Sequence, residues 1–358
     1  MGMHAGRLAK LRARLPELNV DALLVTQNEN RRYLSGFTGS AGALLIVRDR
    51  ALIAVDSRYW EQAEQQAPGY DVFRIRTRLH DHFGEMLEQA GQPPRLGFES
   101  GAVTVATFAQ WAEVKIDAEW ISTKDAIESL RAVKDADELA TIRRAVALTD
   151  AGFDYLCGVL KPGMTERDAA WQLEAYLRTH GADALSFEII VASGPNGAMA
   201  HHRAGDRAIQ RGEPIVIDFG VVVDGYCSDL TRTVSLGDGD PRYAEVFEAV
   251  RRAQQAALGG IHAGMTGVEA DALARGSIGA AGYGDFFGHG LGHGVGLAVH
   301  EAPSAGRLAA GRLPAGATLT VEPGVYLPGW GGVRIEDLVV VHEHSVEVLS
   351  QAHKQSTL

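Results

Sequence analysis

The sequence predicts a two-domain α/β (α+β) protein, and three observations carry that expectation. Over the first 130 residues, short apolar runs alternate with helical stretches. An amphipathic helical pattern then opens a second region and is closed by Lys161-Pro162-Gly163. From there the chain repeats itself: Gly163-Met164-Thr165 returns as Gly264-Met265-Thr266, an offset of 101 residues.

In the first region, Met1 to Leu15 is basic but has neither an apolar core nor a small-residue cleavage site, so it reads as an amphipathic helix and not as a leader. Asp21–Val25, Ala43–Val47 and Ala51–Val55 read as strands, the last two joined as a hairpin across Arg48-Asp49-Arg50. Ser57 to Ala67 and His80 to Ala90 read as helices. No histidine–carboxylate cluster is evident here, and the expected boundary gives domains 1–130 and 131–358.

In the second region, Leu139, Ile142, Val146, Thr149, Phe153, Leu156 and Leu160 recur at +3 and +4, one face of a long helix. Each repeated threonine has an acid three residues on, Asp168 or Glu269, as a helix-capping box requires. Gly181 and Gly282 then mark the helix ends. Gly-Met-Thr alone is a weak signal, but caps, helix ends and the strands that follow all agree on duplication. With only two copies, a solenoid is not expected. Two facing halves with their acids at the junction are.

Those acids are Asp218 after Ile215-Val216-Ile217, and Glu322 after Leu319-Thr320-Val321. Asp229 and Glu336 follow in what read as strands, Tyr226–Val234 and Gly332–Val341. A carboxylate in an apolar strand is costly unless paired or bound to metal. Four of them can hold and bridge two divalent ions. His289, His293 and His300 fall within 12 residues of a glycine-rich segment in which no dinucleotide fingerprint fits. His201-His202 precedes Asp218 and alone would read as surface loop. Nitrogen and oxygen donors without thiolates suit Mn²⁺, Co²⁺, Zn²⁺ or Fe²⁺. Such a pair of ions supports a hydrolase without naming the bond broken.

Composition limits the alternatives. A formal charge of −11 argues against a general nucleic-acid binder. No apolar run approaches the roughly 20 residues that span a bilayer. Two cysteines, Cys157 and Cys227, give neither a disulfide framework nor a zinc motif, and a reducing cytoplasm is the expected setting.

The motifs Ile217-Asp218-Phe219-Gly220, Gly225 to Thr233, Gly288-His289-Gly290-Leu291-Gly292-His293, Val321-Glu322-Pro323-Gly324-Val325-Tyr326 and Gly332-Val333-Arg334-Ile335-Glu336-Asp337 resemble those of the pita-bread metallopeptidases, in particular the Xaa-Pro branch of aminopeptidase P and prolidase. The resemblance spans essentially the whole chain. It implies a creatinase-like N-terminal α/β domain, a C-terminal pita-bread catalytic domain with pseudo-two-fold halves, and two divalent metal ions, Mn²⁺ before Co²⁺ or Zn²⁺. It implies Asp218, Asp229, His293, Glu322 and Glu336 as metal ligands, with Asp229 and Glu336 bridging and Glu322 also moving a proton from the attacking water to the leaving amine. His289 and His300 would contact substrate and stabilise the oxyanion, His201 would stand at the proline pocket, and Arg334 would hold the carboxylates ionised. One departure is Ala200, where the family commonly has proline before the first histidine of the pair.

Methionine aminopeptidase shares the ligand set but usually lacks such an N-terminal domain. Creatinase has lost the ligands. A non-enzymatic partner-binding relative remains the third alternative. The segments Asn30–Gly42 and Asp56–Ala63 look more like aminopeptidase P than prolidase. The expected activity is therefore release of the N-terminal residue from peptides with proline second, with dipeptide-only cleavage as the alternative. The resemblance also implies a homodimer or dimer of dimers.

Overall fold

The structure, a computed structural model, describes residues 3–238 and 240–358. It divides into two compact units, Met1–Arg131 and Ala132–Leu358.

The first unit runs α1 (Met3–Arg14), β1 (Ala22–Val25), α2 (Asn28–Ser35), β2 (Ala43–Val47), β3 (Ala51–Val55), α3 (Trp60–Gln66), β4 (Asp71–Arg74), α4 (Phe83–Gln89), β5 (Arg95–Glu99), α5 (Val105–Ala112), β6 (Glu119–Thr123) and α6 (Glu128–Arg131). Among the described residues its strands form one mixed sheet in the order β4-β3-β2-β1-β5-β6. β1, β2 and β3 are buried along their whole length, as unbroken apolar runs covered on both faces must be. The β2–β3 hairpin forms where the sequence places it. The helix expected from Ser57 starts only at Trp60, because Asp56 folds the chain into a turn first: its carboxylate accepts from Arg58 N at 3.0 Å. The helix expected over 80–90 is a 3₁₀ turn, Leu79–His82, running into α4.

The second unit opens with α7 (Ala136–Val159) and α8 (Glu166–Thr179). There follow β7 (Ala184–Leu185), β8 (Ile190–Ser193), β9 (Ile215–Phe219), β10 (Val221–Val223), β11 (Tyr226–Cys227) and β12 (Leu230–Val234). Its later half runs α9 (Pro241–Gly260), α10 (Gly267–Ala280), β13 (Gly292–Gly294), β14 (Glu301–Ala305), β15 (Thr318–Val321), β16 (Gly324–Leu327), β17 (Gly331–Arg334), β18 (Asp337–Val341) and β19 (Val346–Val348).

The duplication read from sequence is real in three dimensions. Thr165 caps α8 with Asp168, and Thr266 caps α10 with Glu269, each as a closed capping box. Gly181 and Gly282 follow the helix ends with φ of 112° and 85°, a region that glycine enters without strain. In each half one antiparallel pair, β9–β12 or β15–β18, brackets a second along the chain, β10–β11 or β16–β17. Each half also has its own core: Phe153, Leu156, Leu173, Leu177, Ile217 and Phe219 in the first, and Val250, Ala253, Ala274, Ile278, Val321 and Val339 in the second.

The acids sit differently from the sequence expectation. Asp218 lies within β9, but Glu322 lies just past the end of β15. The strands expected over 226–234 and 332–341 are each broken, at Ser228-Asp229 and at Ile335-Glu336. The cause is a change of partner. β11 pairs with β10 while β12 pairs with β9, and β17 pairs with β16 while β18 pairs with β15. Asp229 and Glu336 are the residues at which the chain crosses from one sheet to the next.

Candidate metal centre

Every residue singled out from the sequence, His201, Asp218, Asp229, His289, His293, His300, Glu322, Arg334 and Glu336, lines one cavity of about 480 Å³ in the second unit. At its floor, Asp218, Asp229 and Glu336 each present an oxygen within 4.8 Å of the others. His293 and Glu322 complete the group. His293 Nε2 lies 3.3 Å from Glu322 Oε1 and 3.7 Å from Asp229 Oδ2.

Each group is aimed by a neighbour. His293 Nδ1 donates to Gly294 O at 3.1 Å, which leaves the Nε2 lone pair facing the acids. The His293 backbone is fixed by its N–H on Thr320 Oγ1 (3.0 Å), and the Thr320 hydroxyl donates to Glu322 at 3.1 Å. Gly292 allows this approach, since a Cβ there would lie 1.9 Å from Thr320 O. Thr231 donates to Glu336 Oε2 at 2.7 Å. Arg334, 3% exposed, forks between Asp218 Oδ2 (2.5 Å), Thr231 Oγ1 (3.0 Å) and Tyr326 OH (2.7 Å), and also reaches Ala200 O at 3.5 Å. Tyr326 bonds in turn with His289 Nε2 at 2.8 Å, and His289 Nδ1 donates to Gly290 O at 2.8 Å. Both His289 nitrogens are thus engaged. Among the described residues no hydrogen bond engages the His300 ring, which stands edge-on to His293 at 4.2 Å. The buried ion pair of Lys134 with Glu301, 2.7 Å, braces the residue next to His300.

The glycine–histidine segment is not a slack loop. Asp271 on α10 accepts from Leu291 N at 3.0 Å, and Arg275, paired with Asp271, donates to Phe287 O and His289 O at 2.8 and 2.7 Å.

Burial and mutual repulsion set the electrostatics of the cluster. Burial raises the Asp229 and Glu336 carboxyls well above their usual range, and the neighbouring acids raise them further. Burial pushes Glu322 up to about 7 against the lowering pull of Arg334. Burial lowers His289 and His293 to about 4, and lowers His300 too, so the imidazoles are neutral at neutral pH. Among the described residues, Asp218 Oδ1 and Glu336 Oε1 are buried with no hydrogen-bond partner, a costly arrangement without a cation. Clustered carboxylates, a neutral imidazole and two orphaned oxygens fit divalent metal ions.

Sequence reasoning missed Tyr326, Asp271, Arg275 and Lys134 as supports, and Phe187, Ile190 and Arg203 on the cavity wall. The β16–β17 register pairs Gly324 with Arg334 and Tyr326 with Gly332, which puts Tyr326 and Arg334 on one face of the hairpin.

A duplicated fold that meets at a buried carboxylate–histidine cluster defines a metal-dependent hydrolase. Residues 140–343 match metallopeptidase family M24, and residues 7–133 match the Creatinase/Prolidase N-terminal domain. The chain is similar to an Xaa-Pro dipeptidase from Bacillus anthracis, with a TM-score of 0.96, 39% identity and coverage of 99% of this chain and 100% of the other. It is 33% identical to the Xaa-Pro dipeptidase of Pyrococcus furiosus over 98% of this chain and 99% of that protein. It also resembles the X-Pro aminopeptidase of Thermotoga maritima, with a TM-score of 0.89, 35% identity and coverage of 97% and 99%. The chain belongs to metallopeptidase family M24 and has the pita-bread fold with a creatinase-type N-terminal domain.

Among the described residues no helix is long and apolar enough to cross a membrane.

Proposed function

We propose that this protein is an Xaa-Pro dipeptidase that uses two divalent ions. The observation that carries the reading is the cavity floor, where Asp218, Asp229, Glu336, Glu322 and neutral His293 converge with two carboxylate oxygens unpartnered. Two ions held by these five residues would supply Lewis acidity, activating water and polarising the scissile carbonyl. Glu322, which lines the cavity beside His293 with one oxygen 3.3 Å from its Nε2, is placed to take a proton from the attacking water and return it to the proline nitrogen. His300, whose ring makes no hydrogen bond among the described residues and lines the cavity beside His293, is the better placed donor to the developing oxyanion. His289 is held back by Tyr326 and shapes the wall, and His201 meets the substrate side of the cavity.

Dipeptidase is preferred to the aminopeptidase that the N-terminal segments suggest. Both named dipeptidases compared above align along nearly the whole chain, and the Bacillus anthracis one does so at a TM-score of 0.96 and 39% identity against 0.89 and 35% for the aminopeptidase. The N-terminal segments also have an internal structural role. Arg31, buried at 3% exposure, donates to Gly39 O and Gly42 O at 2.8 and 2.6 Å and to Asn28, closing the 36–42 loop on itself. The Thermotoga maritima relative keeps aminopeptidase as the second reading. The reading includes Mn²⁺, favoured by an oxygen-rich donor set, and a reducing cytoplasm, in keeping with free Cys157 and Cys227.

Hydrolysis of a matched Xaa-Pro dipeptide and Xaa-Pro-Yaa tripeptide, with Mn²⁺ and with chelator, tests this. Metal-dependent cleavage of the dipeptide alone is expected. Cleavage of the tripeptide selects the aminopeptidase, and cleavage of neither by metal-loaded protein overturns both.

A further inference from the structure

The two halves of the catalytic unit differ at the first residue of their matching helices. α8 opens with Glu166 and α10 with Gly267, at the repeat offset. The surrounding backbone is otherwise the same. Glu166 N donates to Arg207 O (3.0 Å) and Arg167 N to Gly205 O (2.9 Å), while Gly267 N donates to Gly311 O (2.9 Å) and Val268 N to Ala309 O (3.0 Å). The bridges Thr165–Ala208 and Thr266–Arg312 repeat as well. The scaffold is therefore complete without a side chain at this position. In the second half there is no room for one, since a Cβ on Gly267 would lie 2.1 Å from Ser304 O.

In the first half the position holds a fully buried glutamate. Its carboxylate accepts from Ser193 N (2.8 Å), Ser193 Oγ (2.7 Å), Asn196 Nδ2 (2.9 and 3.1 Å), His202 Nε2 (2.9 Å) and Gly205 N (3.2 Å). Burial alone would raise this carboxyl, but the donors from Ser193, Asn196 and His202 outweigh it and keep it an anion. All of these donors lie on residues 193–205, the segment that brings His201 to the cavity. Glu166 itself does not line the cavity, and none of its partners belongs to the metal group.

We propose that Glu166 is a positioning residue that grips the 193–205 segment and, through His202, holds the adjacent His201 against the bound peptide. The proposal rests on the reading that His201 contacts substrate. Fixing one ring of a neighbouring histidine pair to a buried anion fixes the backbone that carries the other.

The test compares wild type, Glu166→Gln, Glu166→Ala, His201→Ala and the His201→Ala variants of both, on an Xaa-Pro dipeptide with bound Mn²⁺ counted. Glu166→Ala should keep its metal and lose roughly 10- to 100-fold in kcat/KM. Glu166→Gln, with one acceptor oxygen left, should fall between. In the His201→Ala background either change should cost less than about twofold, because the effect runs through His201. Amide exchange at Ser193 and Gly205 should quicken in Glu166→Ala and less so in Glu166→Gln. Equal losses in both backgrounds, or loss of metal, would overturn the proposal as a purely structural effect. Wild-type kinetics in His201→Ala would overturn the role of His201 and the proposal with it. If the wild-type protein cleaves no Xaa-Pro peptide, the peptidase reading fails separately, and unaltered amide exchange would then overturn the grip of Glu166 on the loop.

Discussion

Arg334→Lys separates charge from geometry at the centre. The lysine keeps a buried cation beside Asp218, so the field on the carboxylates changes little. What is lost is the planar fork that joins Asp218, Thr231 and Tyr326 at 2.5, 3.0 and 2.7 Å, since one ammonium on a straight stem cannot replace three fixed directions. Losing the two bonds to neutral hydroxyls costs about 0.5–1.5 kcal/mol each, or about 1–3 kcal/mol together. At about 1.4 kcal/mol per decade, that is roughly 5- to 140-fold, a span that overlaps the roughly 10- to 100-fold typical of outer partners of metal ligands. Competition with a chromogenic chelator should show the Kd for Mn²⁺ rising by about that factor. At saturating metal, kcat should also fall, because Tyr326 loses its donor and His289 its anchor. A Kd within twofold of wild type would refute the reasoning. A tighter Kd would mean that Arg334 competes with the metal instead of orienting its ligand.

Two further outcomes follow from the same geometry. Gly292→Ala should push β13 off Thr320 and displace His293, lowering bound metal from two ions per chain towards one; full occupancy by elemental analysis would contradict it. Metal uptake should release protons, because Asp229, Glu336 and Glu322 have raised pKa values in the metal-free fold. A raised carboxyl stabilises the metal-free protein fully only below its unfolded pKa, and that contribution is lost as pH climbs through the folded value, about 7 for Glu322. Titration calorimetry near pH 6.5 in two buffers of different ionisation enthalpy should therefore give on the order of one proton or more released per chain. Equal heats in both buffers would show that no proton leaves.

Much of this was legible in sequence because it depends on local pattern. The capping boxes at Thr165 and Thr266 need only four residues each, and the apolar runs of β1, β2 and β3 are continuous. Asp218 stood out because it follows Ile215-Val216-Ile217, and Glu322 because it follows Leu319-Thr320-Val321 at the matching place in the repeat. Hidden were the features set by which strand pairs with which. The breaks at Asp229 and Glu336 arise from a change of partner that no residue type announces. Supports such as Glu166, Asp271 and Lys134 act on residues 20 or more positions away, and each is an ordinary charged residue until the fold buries it.

The central claim is that five residues hold two ions and that Asp229 serves both. Metal content and dipeptide turnover of wild type and Asp229→Ala, measured on the same preparations, test it most directly. The account predicts two ions per chain in the wild type, and neither metal nor turnover in the variant. Two bound ions with wild-type turnover in Asp229→Ala would contradict it.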